Sequence, residues 1–175
     1  MKEIAYLFII ILQSNVIFSQ KNAFVSYPEK NKLEWSDFIE ITQNKDTLIK
    51  YNFDNTIQMK TTKINPWTGV TTFEAFGIYK LPTTWIVKSA KSSQLLEYFQ
   101  LQFDISNAIA KKLEADINKR RINGAYTKKM NAVFEEYSKR LNQILKTMNI
   151  ETENGKNAEK TKEWQAKFDE NKLEE

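Results

Sequence analysis

The chain has 175 residues and a formal net charge of +4, with hydrophobic residues at 41% and aromatics at 13%. That is enough apolar content for one domain with a substantial core, and it excludes a disordered chain. Cysteine and histidine are both absent, which excludes disulfides, a thiol nucleophile, a cysteine-linked lipid anchor, imidazole-based Ser-His-Asp catalysis and the side chain that most often holds zinc in proteases.

In chain order, Lys2 opens a short charged start, and Ile4 to Leu12 form an apolar run of nine residues broken by Gln13, Ser14 and Asn15. A membrane-spanning helix needs about 20 apolar residues. The run therefore reads as a secretory signal over residues 1–19, cut after Ser19, with no stable membrane span; the alternative is an uncleaved anchor. The expected mature chain, 20–175, is a single domain. Residues 20–34 are polar and extended. Leu33-Glu34-Trp35-Ser36-Asp37-Phe38 reads on its own as a short strand with an aromatic anchor. Residues 47–79 are β-rich: 48–53, 56–64 and 70–79 predict a three-stranded antiparallel meander, with turns at Asp54-Asn55 and Asn65-Pro66-Trp67-Thr68-Gly69. Ser92 or Ser93 is placed to cap the helix that follows.

That helix is the centre of the chain. Leu95, Phe99, Phe103, Ala110, Leu113 and Ile117 recur at helical spacing, and Asn123-Gly124 is the expected stop. A second helix is predicted from about Thr127 to Met148, with Met130, Val133, Phe134, Tyr137, Leu141, Ile144, Leu145 and Met148 on one side. A short turn between the two makes an antiparallel helical hairpin. A last helix, about Asn157 to Leu173, carries Trp164 and Phe168. Charge is uneven. Residues 111–150 hold ten Lys/Arg against four Asp/Glu, and 151–175 hold five against eight, which suggests solvated helix faces of opposite sign. The pI of about 9.0 comes without a stripe of basic and aromatic residues, so no nucleic-acid partner is expected.

Leu95-Leu96-Glu97-Tyr98-Phe99-Gln100-Leu101-Gln102-Phe103-Asp104-Ile105 resembles L-L-x-H-E-x-G-H-F-D-I, the core motif of a bacterial family of secreted zinc-dependent proteases long described as a domain of unknown function. Leu33 to Phe38 resembles that family's opening L-x-W-x-D-F, Thr84-Trp85-Ile86-Val87 its S-W-V, and Thr152-Glu153-Asn154-Gly155 its T-x-H-G. The resemblance runs thinly from Leu33 to Phe168. It implies an α+β, zincin-like fold: a small antiparallel sheet, a motif helix, a backing helix and a C-terminal helix. It also implies a site from which the catalyst is missing. Tyr98 and Gln102 stand where the family has its helix histidines, Phe99 where it has the glutamate base, Asn154 where it has a third histidine, and Leu101 where it has glycine.

Zinc hydrolysis needs a metal that acidifies water and a base that takes the proton. Gln and Asn carbonyls are weak zinc ligands, and Phe99 cannot accept a proton. No catalytic residue, metal ligand or cofactor is therefore expected. The resemblance implies an exported pseudoprotease, in the periplasm or outside the cell, that binds a protein or peptide partner. One alternative is a structural or interaction protein built on a helical hairpin without protease ancestry. The other is a carboxylate-based hydrolase, which needs two carboxylates about 5–10 Å apart in a cleft. No spacing singles out such a pair. Asp37 and Asp104 match the family motifs, and Asp104 is expected to orient its neighbours rather than act as a catalyst.

Overall fold

The computed structural model describes residues 23–42, 49–123 and 127–173. The expected signal sequence, with its cleavage site at Ser19, lies outside them. The class is α+β, and the described residues form six strands and three α-helices. The strands are β1 (Phe24–Ser26), β2 (Ile39–Ile41), β3 (Tyr51–Asn52), β4 (Asn55–Ile64), β5 (Thr71–Lys80) and β6 (Trp85–Val87). The helices are α1 (Ser93–Lys119), α2 (Thr127–Glu151) and α3 (Ala158–Asp169).

The strands form two small sheets rather than one meander. β4 and β5 make the expected hairpin, but the third strand of that antiparallel sheet is β1, on the far side of β5. The segment expected as the first meander strand supplies only β3. It pairs with β6 in a second sheet, whose other strand, β2, runs parallel to β6. Pairing partners far apart in sequence decided this, and strand propensity does not encode them. Leu33 to Phe38 is not a strand either. Trp35–Asp37 is a single 3₁₀ turn, closed by the Asp37 carboxylate accepting from the Glu34 N–H at 2.7 Å. Lys30 Nζ lies 2.7 Å from the other Asp37 oxygen.

α1 starts where Ser92 caps it, its hydroxyl accepting from Leu95 N–H at 3.2 Å. It ends at Lys119, before the expected stop, because Arg121 takes a left-handed conformation (φ 49°). Gly124 lies outside the described residues. Polar residues on α1 serve β5 as a substitute strand. β1 pairs only with the last three residues of β5, and farther back the Phe73, Ala75 and Gly77 N–H groups donate to Asn118 (2.9 Å), Glu114 (2.9 Å) and Asn107 (3.3 Å). Main-chain donors that would otherwise lack partners are satisfied in this way. The helix comes close enough that a Cβ at Gly77 would lie 2.9 Å from the Asn107 nitrogen.

α2 lies antiparallel to α1. Its early residue Tyr137 meets Asp116 near the end of α1, and its late residue Asn149 meets Tyr98 near the start. α3 is capped by Asn157 and buries Trp164, whose indole N–H donates to Glu151 at 2.8 Å. One continuous hydrophobic cluster joins the hairpin, the small second sheet and all three helices.

Candidate functional site

The first half of α1 presents different residues to three different surroundings. Phe99, at 1% exposure, enters an aromatic cluster with ring centroids at 5.2 Å (Phe38), 5.3 Å (Phe53), 5.5 Å (Tyr51), 5.6 Å (Tyr98) and 6.5 Å (Trp35). Leu101 is fully buried.

Gln100 and Asp104 face the N-terminal segment. The Gln100 carbonyl accepts from Leu33 N–H at 2.8 Å, and its amide donates to the Asn31 carbonyl (2.9 Å) and to Asp104 (2.8 Å). Tyr27 donates to the same Asp104 oxygen at 3.0 Å. Burial raises the Asp104 pKa, against the pull of those two donors. Burial and the Asp104 charge together push the Tyr27 phenol up to about 12. Asp104 thus orients neighbours, and Asp37 is held by Lys30 and the Glu34 backbone. Each carboxylate has its own positional role.

Tyr98 and Gln102 face the C-terminal turn of α2, where they converge on Asn149. The Tyr98 hydroxyl and the Gln102 amide (2.9 Å) both donate to the Asn149 side-chain oxygen. Burial pushes the Tyr98 phenol far above its ordinary value, so it stays neutral and serves as a donor. The Gln102 main-chain carbonyl accepts from Asn55 (3.0 Å) and Ser106 (2.9 Å).

The turn after α2 closes over this group. Glu153, Asn154 and Gly155 are all left-handed (φ 52°, 56° and 83°). The Thr152 hydroxyl donates to the Met148 carbonyl at 2.7 Å and accepts from Gly155 N–H at 3.2 Å. Asn154 N–H donates to the Asn149 carbonyl at 2.7 Å, and the Asn154 carbonyl accepts from Tyr51 at 2.7 Å. The Gln94 amide donates to the carbonyls of Gly155 and Lys156, both at 2.9 Å. Asn154 itself is exposed and borders a cavity of about 410 Å³ with Ile49, Lys50, Tyr51 and Lys156. Gly155 has no room for a side chain, since a Cβ there would lie 2.6 Å from the Tyr98 ring. Gly155→Ala is expected to cost more than about 1 kcal/mol, combining that clash with an unfavourable positive φ. Chemical denaturation of the two proteins measures it.

No family model matches this chain, and neither does any curated protein or solved structure.

Tyr98, Gln102 and the Thr152–Gly155 turn come together, while Phe99 packs in the aromatic cluster and makes no hydrogen bond with them. Among the described residues no group of three or more His, Cys, Asp or Glu side chains is arranged to hold a metal ion. The converging groups are a neutral phenol and two carboxamides, able to exchange hydrogen bonds but without a proton acceptor of useful strength. Asn149 is the member that sequence reasoning missed. Its signal was its place in the row Leu141, Leu145, Asn149, where a polar residue continues a buried row spaced by four.

Proposed function

We propose that this protein is an exported, catalytically inert binding protein on a zincin-like frame, which holds a protein or peptide partner. One observation carries the reading. The side chains at the three helix positions where a zincin keeps its ligands and base are structural here, with Phe99 in the aromatic cluster and Tyr98 and Gln102 bonded to Asn149. A partner has a strand edge available. Among the described residues β2 pairs only with β6, and it exposes Ile39 (48%) and Ile41 (36%). An extended peptide can add there through main-chain hydrogen bonds. Photo-crosslinking from position 39 in the native cell envelope tests the binding half. A defined crosslinked product is expected, and none from a position on the exposed face of α3. Metal analysis and a peptide-hydrolysis screen test the inert half, with no stoichiometric zinc and no cleavage expected. One tightly held zinc per chain overturns it.

Export has its own check. Intact-mass measurement of protein from the envelope should show the loss of about 19 residues, since an apolar run far short of the roughly 20 needed to span a membrane fits a cleaved signal. A full-length mass in the membrane fraction contradicts cleavage.

A second reading, an interaction protein without protease ancestry, is favoured by a different observation. Thr152, Gly155, Gln100 and Asp104 each have a structural task that accounts for their identity. Zinc affinity of a metal site rebuilt with histidines separates the two.

A further inference from the structure

We infer that the β4–β5 hairpin tip is a peripheral docking prong for an anionic lipid bilayer, with Trp67 as its apolar point and the surrounding lysines and arginines as its electrostatic contact.

Trp67 is 93% exposed and Ile64 59%, and Pro66 between them is also exposed. An indole is the side chain least expected to stand in water without a partner, because it carries the largest apolar area of any residue. The turn that presents it is rigid. The Asn65 side-chain oxygen accepts from Trp67 N–H (2.9 Å) and Thr68 N–H (3.1 Å), and Gly69 N–H returns to the Asn65 carbonyl at 2.8 Å. The tip is also fastened to the helices. Val70 bridges to Asn123, the Asn123 amide donates to the Thr68 carbonyl at 3.0 Å, and Thr71 N–H donates to the Ile122 carbonyl at 3.0 Å. The prong is therefore preorganised and fixed to the end of the molecule where α1 stops and α2 begins.

That end is cationic. Lys63 precedes the turn. Lys119, Arg120 and Arg121 end α1, and Lys128 and Lys129 begin α2; all six are exposed. Arg120, Arg121 and Lys129 line one hollow of about 550 Å³ beside the turn. Among the described residues, Asp116, paired with Arg120 at 2.7 Å, and Glu136, in the wall of the hollow, stand beside them. The first turn of α2 carries no acidic residue, although the helix dipole favours one there.

The shape selects a bilayer over a protein. Protein hot spots seat aromatics in pockets within a flat, largely apolar patch. Here the apolar element is one exposed turn, with cations beside it on β4 and at the adjoining helix ends. Trp favours the headgroup level, where its ring is buried and its N–H stays wet, and Lys and Arg near an anionic surface each add attraction. Among the described residues no helix is long and apolar enough to cross a membrane.

The test is flotation of the full chain with vesicles of phosphatidylcholine alone and of phosphatidylcholine mixed with phosphatidylglycerol. The wild type should float with the mixed vesicles well beyond the flotation that the N-terminal apolar run gives it with phosphatidylcholine alone, and high salt should release the excess. Trp67→Ala should lower partitioning about tenfold. Lys63→Gln and Arg121→Gln should each lower it about fivefold. Brominated lipid should quench more indole fluorescence in the wild type than in Trp67→Ala. The N-terminal apolar run is present in every variant, so its own lipid affinity is common to all of them and is read from the phosphatidylcholine vesicles. Trp67 is too exposed for its loss to unfold the protein, which circular dichroism verifies. Equal binding to both vesicle types overturns the inference, as does binding unchanged by Trp67→Ala. A Trp67-dependent complex with a soluble protein, without vesicle binding, also overturns it.

Discussion

Phe99→Glu is expected to lower the thermal midpoint by roughly 10 °C or more. Truncating a buried Phe costs about 3–5 kcal/mol, and for a domain of this size each kcal/mol moves the midpoint by about 2–4 °C. Five aromatic rings surround Phe99 within 6.5 Å, and they offer a carboxylate no cation. The introduced group must either lose its hydration or take up a proton. Its folded-state pKa is then raised above the unfolded value, so the folded variant binds a proton more tightly than the unfolded chain does. The deficit against wild type should consequently shrink as pH falls from neutrality towards the ordinary Glu value of about 4.3. Phe99→Leu, which keeps the site apolar, should lose much less and show no such pH dependence. Thermal melts of the three proteins across that pH range give the answer. An unchanged midpoint for Phe99→Glu would mean that the helix does not bury this face.

The same helix shows how much was legible beforehand. Its apolar face follows a period of 3.6, because burial against a core imposes that period on the sequence. Phe99, Phe103, Leu113 and Ile117 are therefore buried as read, as are Leu141, Leu145 and Met148 on α2. The Ser92 cap was readable for a local reason, a hydroxyl within reach of the first free N–H groups. What failed depends on distant partners. The third strand of the hairpin sheet could be 48–53 beside β4 or 24–26 beside β5, and local propensity does not distinguish them. Asn107, Glu114 and Asn118 look like ordinary solvated helix residues until β5 is seen to leave its N–H groups beside them. Asn149 was missed for the same reason. Its role exists only because Tyr98 and Gln102 arrive from another helix. The end of α1 was misplaced because Arg121 takes a conformation for which Gly124 is the better sequence candidate.

The largest expected gain of function comes from rebuilding a metal site, and it tests ancestry. Histidines at 98 and 102 stand one turn apart on α1, about 5–6 Å between Cβ atoms, so both can reach one zinc at roughly 2.0–2.1 Å. The third ligand distinguishes the two readings. Asn149 already accepts from both side chains, so Tyr98→His, Gln102→His and Asn149→His together should bind zinc on geometry alone. Asn154 is the position that the family resemblance assigns. Its N–H is bonded to the Asn149 carbonyl, its neighbour Gly155 packs on the Tyr98 ring, and its left-handed φ of 56° is one that histidine tolerates better than most side chains. With a protease-derived frame, Tyr98→His, Gln102→His and Asn154→His should exceed the helix pair in zinc affinity by about a hundredfold. That is a fair share of the roughly 10–16 kcal/mol that a complete structural zinc site supplies. Phe99→Glu would not complete the catalyst, because the Phe99 side chain is sealed in the aromatic cluster at 1% exposure. Calorimetric zinc titration of the pair and of both triples, with folding checked by circular dichroism, decides the matter. If the 149 triple gains and the 154 triple only equals the pair, position 154 was never a ligand position. The turn at Thr152–Gly155 is then a plain helix terminus, shaped by Gly155 and Tyr98 and by no lost metal.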